Sequence, residues 1–316
     1  MAPLPNFRVT PSRAFSRSAC DFCGPILLKA HRSRTFISYK SYVAVFVCLT
    51  THSVHLEAVS GLSTEDFMAA LRRFTARRGL ASDIFCDNGT NFHGANSELK
   101  RLLASVMKQL PRIQTQLARE RITFHFSPPA GPHHGGLWES AVKSMKTHLV
   151  RIMGNQSWTF EEFNTGLTQI EAVLNSRPLT AMTSEPSDLQ PLTPGHFITG
   201  SGLLTLPEPD YTGVLIDYRR RYNLLQLQVQ TLWKRWSQSY LQQLQTRNKW
   251  KTTEPNLQKN DMVLLRDKHQ PPARWSIGRI LETHPGQDGL VRVITIRTST
   301  GVYKRPITSI AKLPII

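Results

Sequence analysis

In the first half of the chain, short apolar runs alternate with stretches of helical period. Ser18 to Lys29 reads as a strand ending in a basic, hydroxyl-rich turn, His31-Arg-Ser-Arg-Thr35. Tyr42-Val-Ala-Val-Phe-Val-Cys-Leu49 is apolar throughout and rich in β-branched and aromatic residues, which predicts a buried central strand. After a tight turn at Thr50-Thr-His52, Val54 to Val59 predicts the returning strand. Ser63-Thr-Glu-Asp66 has the cap and acidic first turn of a helix, and Phe67, Leu71 and Phe74 recur at helical spacing until Gly79. Asp83 to Cys86 predicts a short fourth strand, Ala95 to Glu120 a polar helix with a break at Pro111, and Ile122 to Phe126 a fifth strand.

A Pro/Gly/His loop, Ser127 to Gly136, leads to a predicted helix from Leu137 to Met153. A second runs from Phe160 to Asn175, with Thr159 and Glu162 spaced as a capping box. Three strands, helix, strand, helix, strand and further helices make a mixed α/β domain, a meander feeding a parallel part. Pro186 to Asp210 reads as a connector. Tyr222, Leu225, Val229, Leu232, Trp233, Trp236, Tyr240 and Leu244 then mark one face of a long helix. Short strands at Met262–Arg266, Ser276–Leu281, Leu290–Thr298 and Val302–Arg305, parted by Gly/Pro/Asp turns, predict a small barrel. The expected segments are an N-terminal extension (1–16), the α/β core (17–200), a connector with the long amphipathic helix (201–260) and the basic barrel (261–316).

Charge adds a partner to this picture. The chain of 316 residues carries 39 Lys+Arg against 22 Asp+Glu, a net of +17. From Gln228 onward there are 15 basic and 5 acidic residues, so more than half of the excess lies in the last third. That density attracts polyanions, nucleic acid first among them. An anionic membrane fits less well, because the cations are interleaved with strand-forming residues and are not gathered on one amphipathic helix. No apolar run nears the roughly 20 residues of a membrane helix. Met1 to Arg8 lacks a signal peptide's apolar centre, and four cysteines are too few for a disulfide scaffold. An intracellular chain with no membrane partner and no small-molecule substrate is therefore expected.

Three acidic residues stand out. Asp21 lies inside the first strand, and Asp87 ends the fourth, where Asp87-Asn-Gly89 forces a turn. Glu139 opens a helix entered through Pro132-His-His-Gly-Gly136. Ligands in open α/β sheets gather at the carboxyl ends of strands, and three hard oxygen donors suit Mg²⁺ or Mn²⁺. Taken singly, each has a plain structural explanation: a turn, a strand aspartate, a carboxylate complementing a helix dipole. Lys143 and Lys146 follow Glu139 on one helical stripe, which fits an ordinary ion pair or cations placed beside a metal for phosphates. Cys20 and Cys23 straddle Asp21 with no second cysteine pair, so zinc is not expected. Walker, HExxH and GxSxG motifs do not occur.

These residues sit in stretches that resemble retroviral-type integrases, specifically those of Bel/Pao long-terminal-repeat retrotransposons. The stretches are Asp21-Phe-Cys-Gly-Pro25, Tyr42 to Cys48, Val54-His-Leu-Glu57, Asp87-Asn-Gly-Thr-Asn-Phe92, Gly135-Gly-Leu-Trp-Glu-Ser-Ala-Val-Lys143 and Leu174-Asn-Ser-Arg-Pro178. Leu232-Trp-Lys-Arg-Trp236, Arg247-Asn-Lys-Trp250 and Arg274-Trp275 resemble the domain that commonly follows this core. The resemblance implies an RNase H-like five-stranded core in which Asp21, Asp87 and Glu139 are catalytic and hold two Mg²⁺ or Mn²⁺ ions. Lys143 and Lys146 would then lie near the DNA end. It further implies DNA as substrate, both element ends and target, with 3′-end trimming followed by strand transfer, a homo-oligomer, and action in the nucleus. Two departures accompany it. Fifty-one residues separate Asp87 from Glu139, longer than in the retroviral branch, and the family's zinc module is not expected ahead of Asp21. A plain endonuclease of the same superfamily, or an inert DNA-binding relic, are the alternative expectations.

Overall fold

The computed structural model describes residues 10–31, 37–109, 121–126, 157–217, 219–245, 255–267 and 270–314. Two compact units divide the chain, Met1–Glu171 and Ala172–Ile316.

In the first unit, β1 (Arg17–Lys29), β2 (Ser38–Cys48) and β3 (Val54–Val59) form an antiparallel meander. β4 (Asp83–Cys86) joins the other side of β1 in parallel, and β5 (Thr123–Phe126) extends that side, giving the order β3-β2-β1-β4-β5. A two-residue strand, β6 (Trp158–Thr159), pairs with the far end of β1. This is the RNase H-like mixed sheet. The middle place belongs to β1, whereas the most apolar run, β2, stands one position out. β2 is apolar because every residue from Val43 to Cys48 is buried, not because it is central.

The helices follow from local chemistry. α1 (Thr64–Arg78) opens on a reciprocal cap between Ser63 and Asp66 and buries Phe67, Met68, Ala70, Leu71 and Phe74. Phe74 stacks on Phe46 with ring centres 4.2 Å apart, an offset aromatic pair worth about 0.5–1.5 kcal/mol beyond its buried area. α2 (Thr90–Gln109) begins five residues ahead of the expected Ala95. The Gly89 carbonyl accepts from Phe92 N and His93 N, so the first turn forms on a backbone cap that side-chain periodicity does not display. α3 (Phe160–Asn175) starts on the expected box, with Thr159 N donating to Glu162 Oε2 at 3.0 Å and Glu162 N to Thr159 Oγ1 at 3.4 Å.

In the second unit, a short ribbon of β7 (Thr180–Ala181) and β8 (Pro191–Leu192) and one turn of helix, α4 (His196–Thr199), precede the long α5 (Arg221–Leu244). Then come β9 (Met262–Leu265), β10 (Ile277–Pro285), β11 (Val291–Thr298), β12 (Gly301–Pro306) and, after a 3₁₀ turn, β13 (Ile310–Lys312). They form an antiparallel half-barrel in the order β12-β11-β10-β9-β13, closed around Val263, Ile280, Ile294, Ile296 and Ile310. The sequence had shown four of these strands. The fifth, β13, is too short to carry a pattern and is fixed by pairing with β9.

Tyr240, Leu241 and Leu244 of α5 pack on Met262, Leu264 and Leu313. Trp233 and Trp236 are buried edge-on against Trp275, and Trp233 Nε1 donates to the Gln270 carbonyl at 2.9 Å. These indoles are packing residues. Tyr222 departs from the expected helical face: it is exposed, its hydroxyl bonded to Glu208. Arg279 is buried and donates to the carbonyls of Thr183, Asp188 and Asn260, so one of the cations in the basic tract is a structural brace.

Candidate active site

Asp21 lies within β1, and Asp87 directly follows β4, the strand paired beside it. β1 and β4 run parallel in the register Arg17↔Asp83, Ser18↔Ile84 and Ala19↔Phe85. Carrying that register two residues on brings Asp87 level with Asp21. Side chains alternate along a strand, so Asp21 lies on the face opposite Phe22, whose ring packs on Phe67 and Phe92. Neighbouring strands stand about 4.8 Å apart, so this register sets Asp21, in the interior of β1, beside the residue that follows the end of β4.

Both acids are held by their own backbone. Asp21 Oδ1 accepts from Phe22 N at 2.7 Å, and Asp87 Oδ1 from Gly89 N at 3.0 Å. Asp21 is half-buried and Asp87 exposed. Burial, together with the negative charge of Asp87, pushes the neighbouring Cys86 thiol up to about 12. Cys86 therefore stays a protonated core residue at neutral pH and offers no thiolate to a metal.

Gly89 matters by its lack of a side chain. A Cβ there would meet Asn91 Oδ1 at 2.6 Å, Asp87 Oδ1 at 3.0 Å and Phe92 Cδ2 at 3.1 Å. A methyl group forces the Asn91 amide oxygen aside and presses the Asp87 carboxylate by a few tenths of an ångström. Gly89→Ala is expected to slow any chemistry at this edge by up to about tenfold, since a full ångström can cost about 100-fold, with an unchanged fold by circular dichroism. Full activity of the pure variant would show that the Asp87 rotamer is immaterial.

Glu139, Lys143 and Lys146 lie outside the described residues. Among the described residues no three His, Cys, Asp or Glu side chains come together as a metal set. Of the expected ligands the structure describes two, Asp21 within β1 and Asp87 just past β4. As hard oxygen donors on adjoining strands, they fit a hard divalent cation by donor type.

Two charged constellations lie apart from the three expected acids. At the far end of β4, Asp83 Oδ1 bonds His125 Nε2 at 2.7 Å. Burial acts to raise the Asp83 carboxyl, but hydrogen bonds from His125 and Ser82 outweigh it and hold the group below its usual range. The second is a buried network centred on His55. Its Nε2 lies 3.0 Å from Glu57 Oε1 and its Nδ1 3.2 Å from Glu171 Oε2. Glu57 also accepts from Arg73 at 2.7 Å and Arg77 at 2.9 Å, while Glu171 accepts from Arg78 and from Leu56 N at 2.8 Å. Burial works against the imidazolium and so does Arg78, yet hydrogen bonds to the two glutamates raise the His55 pKa above its ordinary value. Burial works against the Glu57 carboxylate, and its bonds to His55 and Arg73 lower its pKa nonetheless. The spacing of Arg73, Arg77 and Arg78 on α1 was the available signal, but it reads equally as a solvated helical face.

Residues 220–313, less than a third of the chain, match a family of unknown function, DUF5641. That match spans α5 and the half-barrel through β13. No curated protein matches the chain. One solved structure to which the chain is similar is that of the simian T-cell lymphotropic virus intasome in complex with PP2A regulatory subunit B56 gamma. The likeness covers 100% of this chain and 84% of that one at 13% identity, with a TM-score of 0.38, too slight to carry any inference.

Proposed function

We propose that the protein is the integrase of a Bel/Pao-type retrotransposon, a polynucleotidyl transferase acting on DNA in the nucleus as a homo-oligomer. The observation that supports this reading is that Asp21 and Asp87, both in the motif stretches, lie in and just past two adjoining parallel strands of a mixed RNase H-like sheet. The net charge of +17 suits a polyanionic substrate. Among the described residues no helix is long and apolar enough to cross a membrane.

The chain's own residues have definite parts in this chemistry. Asp21 and Asp87 each have one carboxylate oxygen fixed in direction by a backbone N–H, so they would meet a divalent cation with their geometry already set. Glu139 would complete the acidic set, and Lys143 and Lys146 would hold the phosphates of the DNA end. When bound, two Mg²⁺ or Mn²⁺ ions would supply the positive charge needed by the attacking and leaving oxygens. In the trimming step a water oxygen bonds to phosphorus as a 3′ oxygen leaves. In the joining step the freed 3′-hydroxyl oxygen forms the new P–O bond and the target's own 3′ oxygen departs with the bonding pair.

An oligonucleotide assay with Mn²⁺ tests the reading. Joined products are expected. Nicks without joining would make the protein an endonuclease, and neither product would make it a DNA-binding relic.

A further inference from the structure

A cleft of about 1110 Å³ opens within the second unit, between the connector around β8 and α4 and the hairpins β9–β10 and β11–β12. It exceeds the roughly 300–1,000 Å³ of pockets for small ligands. Arg266, Arg274 and Arg305 line it, all three exposed, and among the described residues none has a carboxylate within ion-pair distance. The acid beside them, Asp267, already accepts from Gln270 at 3.1 Å and Ser276 at 3.2 Å. Three guanidiniums without a carboxylate partner line one concavity, Arg305 also donating to the Lys304 carbonyl at 3.2 Å, and such a lining can receive several phosphates.

The lining also presents flat rings. β12 is an edge strand exposed along its whole length. Alternation puts Tyr303 and Arg305 on the same face of it, and both line the cleft. The Arg305 guanidinium lies over the Tyr303 ring, 5.2 Å from its centre, so the two form a ready-made stack. Unpaired bases stack on such surfaces whatever their identity. A duplex hides its base faces, and reading its grooves takes a projecting helix or ribbon, not a hollow.

We infer that this cleft binds a single strand of nucleic acid, phosphates on Arg266, Arg274 and Arg305 and bases against Tyr303. The inference is independent of the acidic site: it rests on another unit and needs no metal.

The test uses the full chain and fluorescence anisotropy with labelled oligothymidylate and oligouridylate of about 12 nucleotides, competed by a blunt hairpin duplex and by oligoglutamate. With Arg266, Arg274 and Arg305 all changed to Gln, the slope of log K against log salt for the single strand should fall by about 2, since each phosphate contact on a single strand contributes about 0.7. Tyr303→Leu should weaken binding about tenfold by removing one stacking surface. Arg274→Lys, which keeps its charge, should preserve the slope. The difference between the two strands says whether DNA or RNA is preferred. Unchanged affinity and slope in the Gln variant would overturn the inference. So would a duplex whose own affinity falls as far as the strand's in the Gln variant, or oligoglutamate that displaces the strand at similar concentration. All four side chains are exposed, so unfolding is not expected, and matching thermal midpoints verify it.

Discussion

Asp87→Asn is expected to abolish Mn²⁺-dependent nicking and joining, a loss of at least about 10³-fold, while DNA affinity stays at the parent level. The amide keeps the side chain's shape, and its oxygen still accepts from Gly89 N. What disappears is one negative charge and a lone pair at the sheet edge. A cation site loses its ligand by this change, whereas a DNA surface loses nothing, because removing an anion does not weaken phosphate binding. Asp21→Asn should behave alike, since its carboxylate is held in the same manner by Phe22 N. Retained chemistry in either variant would remove the aspartates from the mechanism. Lost DNA affinity with intact folding would mean that they act on the nucleic acid by some other route.

The second large effect is on stability. Glu57 and His55 are almost wholly buried, 3% and 1% exposed. Removing one partner of such a pair leaves an uncompensated charge in the interior, typically a loss of about 3–5 kcal/mol. Glu57→Gln should therefore lower the thermal midpoint strongly, since it takes a partner at once from His55, Arg73 and Arg77. The pH dependence follows from the two displaced groups. The raised pKa of His55 gives stability that is whole below its ordinary 6.5 and is lost as pH rises through the raised value. The lowered pKa of Glu57 gives stability that is whole above its ordinary 4.5 and is lost as pH falls through the lowered value. Both contributions are complete between 4.5 and 6.5, and the parent's stability should peak there. The variant should lose much of that peak on both flanks. A parent-minus-variant difference that stays flat both below 4.5 and above 6.5 would show that the network does not titrate as described.

How far the sequence foretold this molecule depends on the range of the interactions concerned. The strands of the first unit were legible because each is a run of apolar residues bounded by turn chemistry. Asp87 was legible because Asp-Asn-Gly cannot continue a strand. The α1 and α3 caps are three-residue relations and stood out for the same reason. Contacts between distant positions were not legible. Glu171 meets Leu56 across 115 positions, and nothing near either residue announces the other. Arg279 counted as one more surface cation until the carbonyls of Thr183 and Asp188 closed around it. β13 has three residues and exists through β9, and α2 starts on the carbonyl of Gly89, which side-chain periodicity does not register. The arginine cleft is a product of hairpin geometry, since Arg266, Arg274 and Arg305 meet only when the half-barrel closes. The level register of Asp21 and Asp87 needed the parallel pairing of β1 with β4, for which the sequence offered topology but no register.

Anomalous diffraction from crystals soaked in Mn²⁺ bears most directly on the catalytic reading. Ions coordinated by oxygens of both Asp21 and Asp87, and lost in Asp87→Asn crystals, are the predicted result. Aspartate oxygens turned away from each other, with no anomalous peak between them at saturating Mn²⁺, would contradict it.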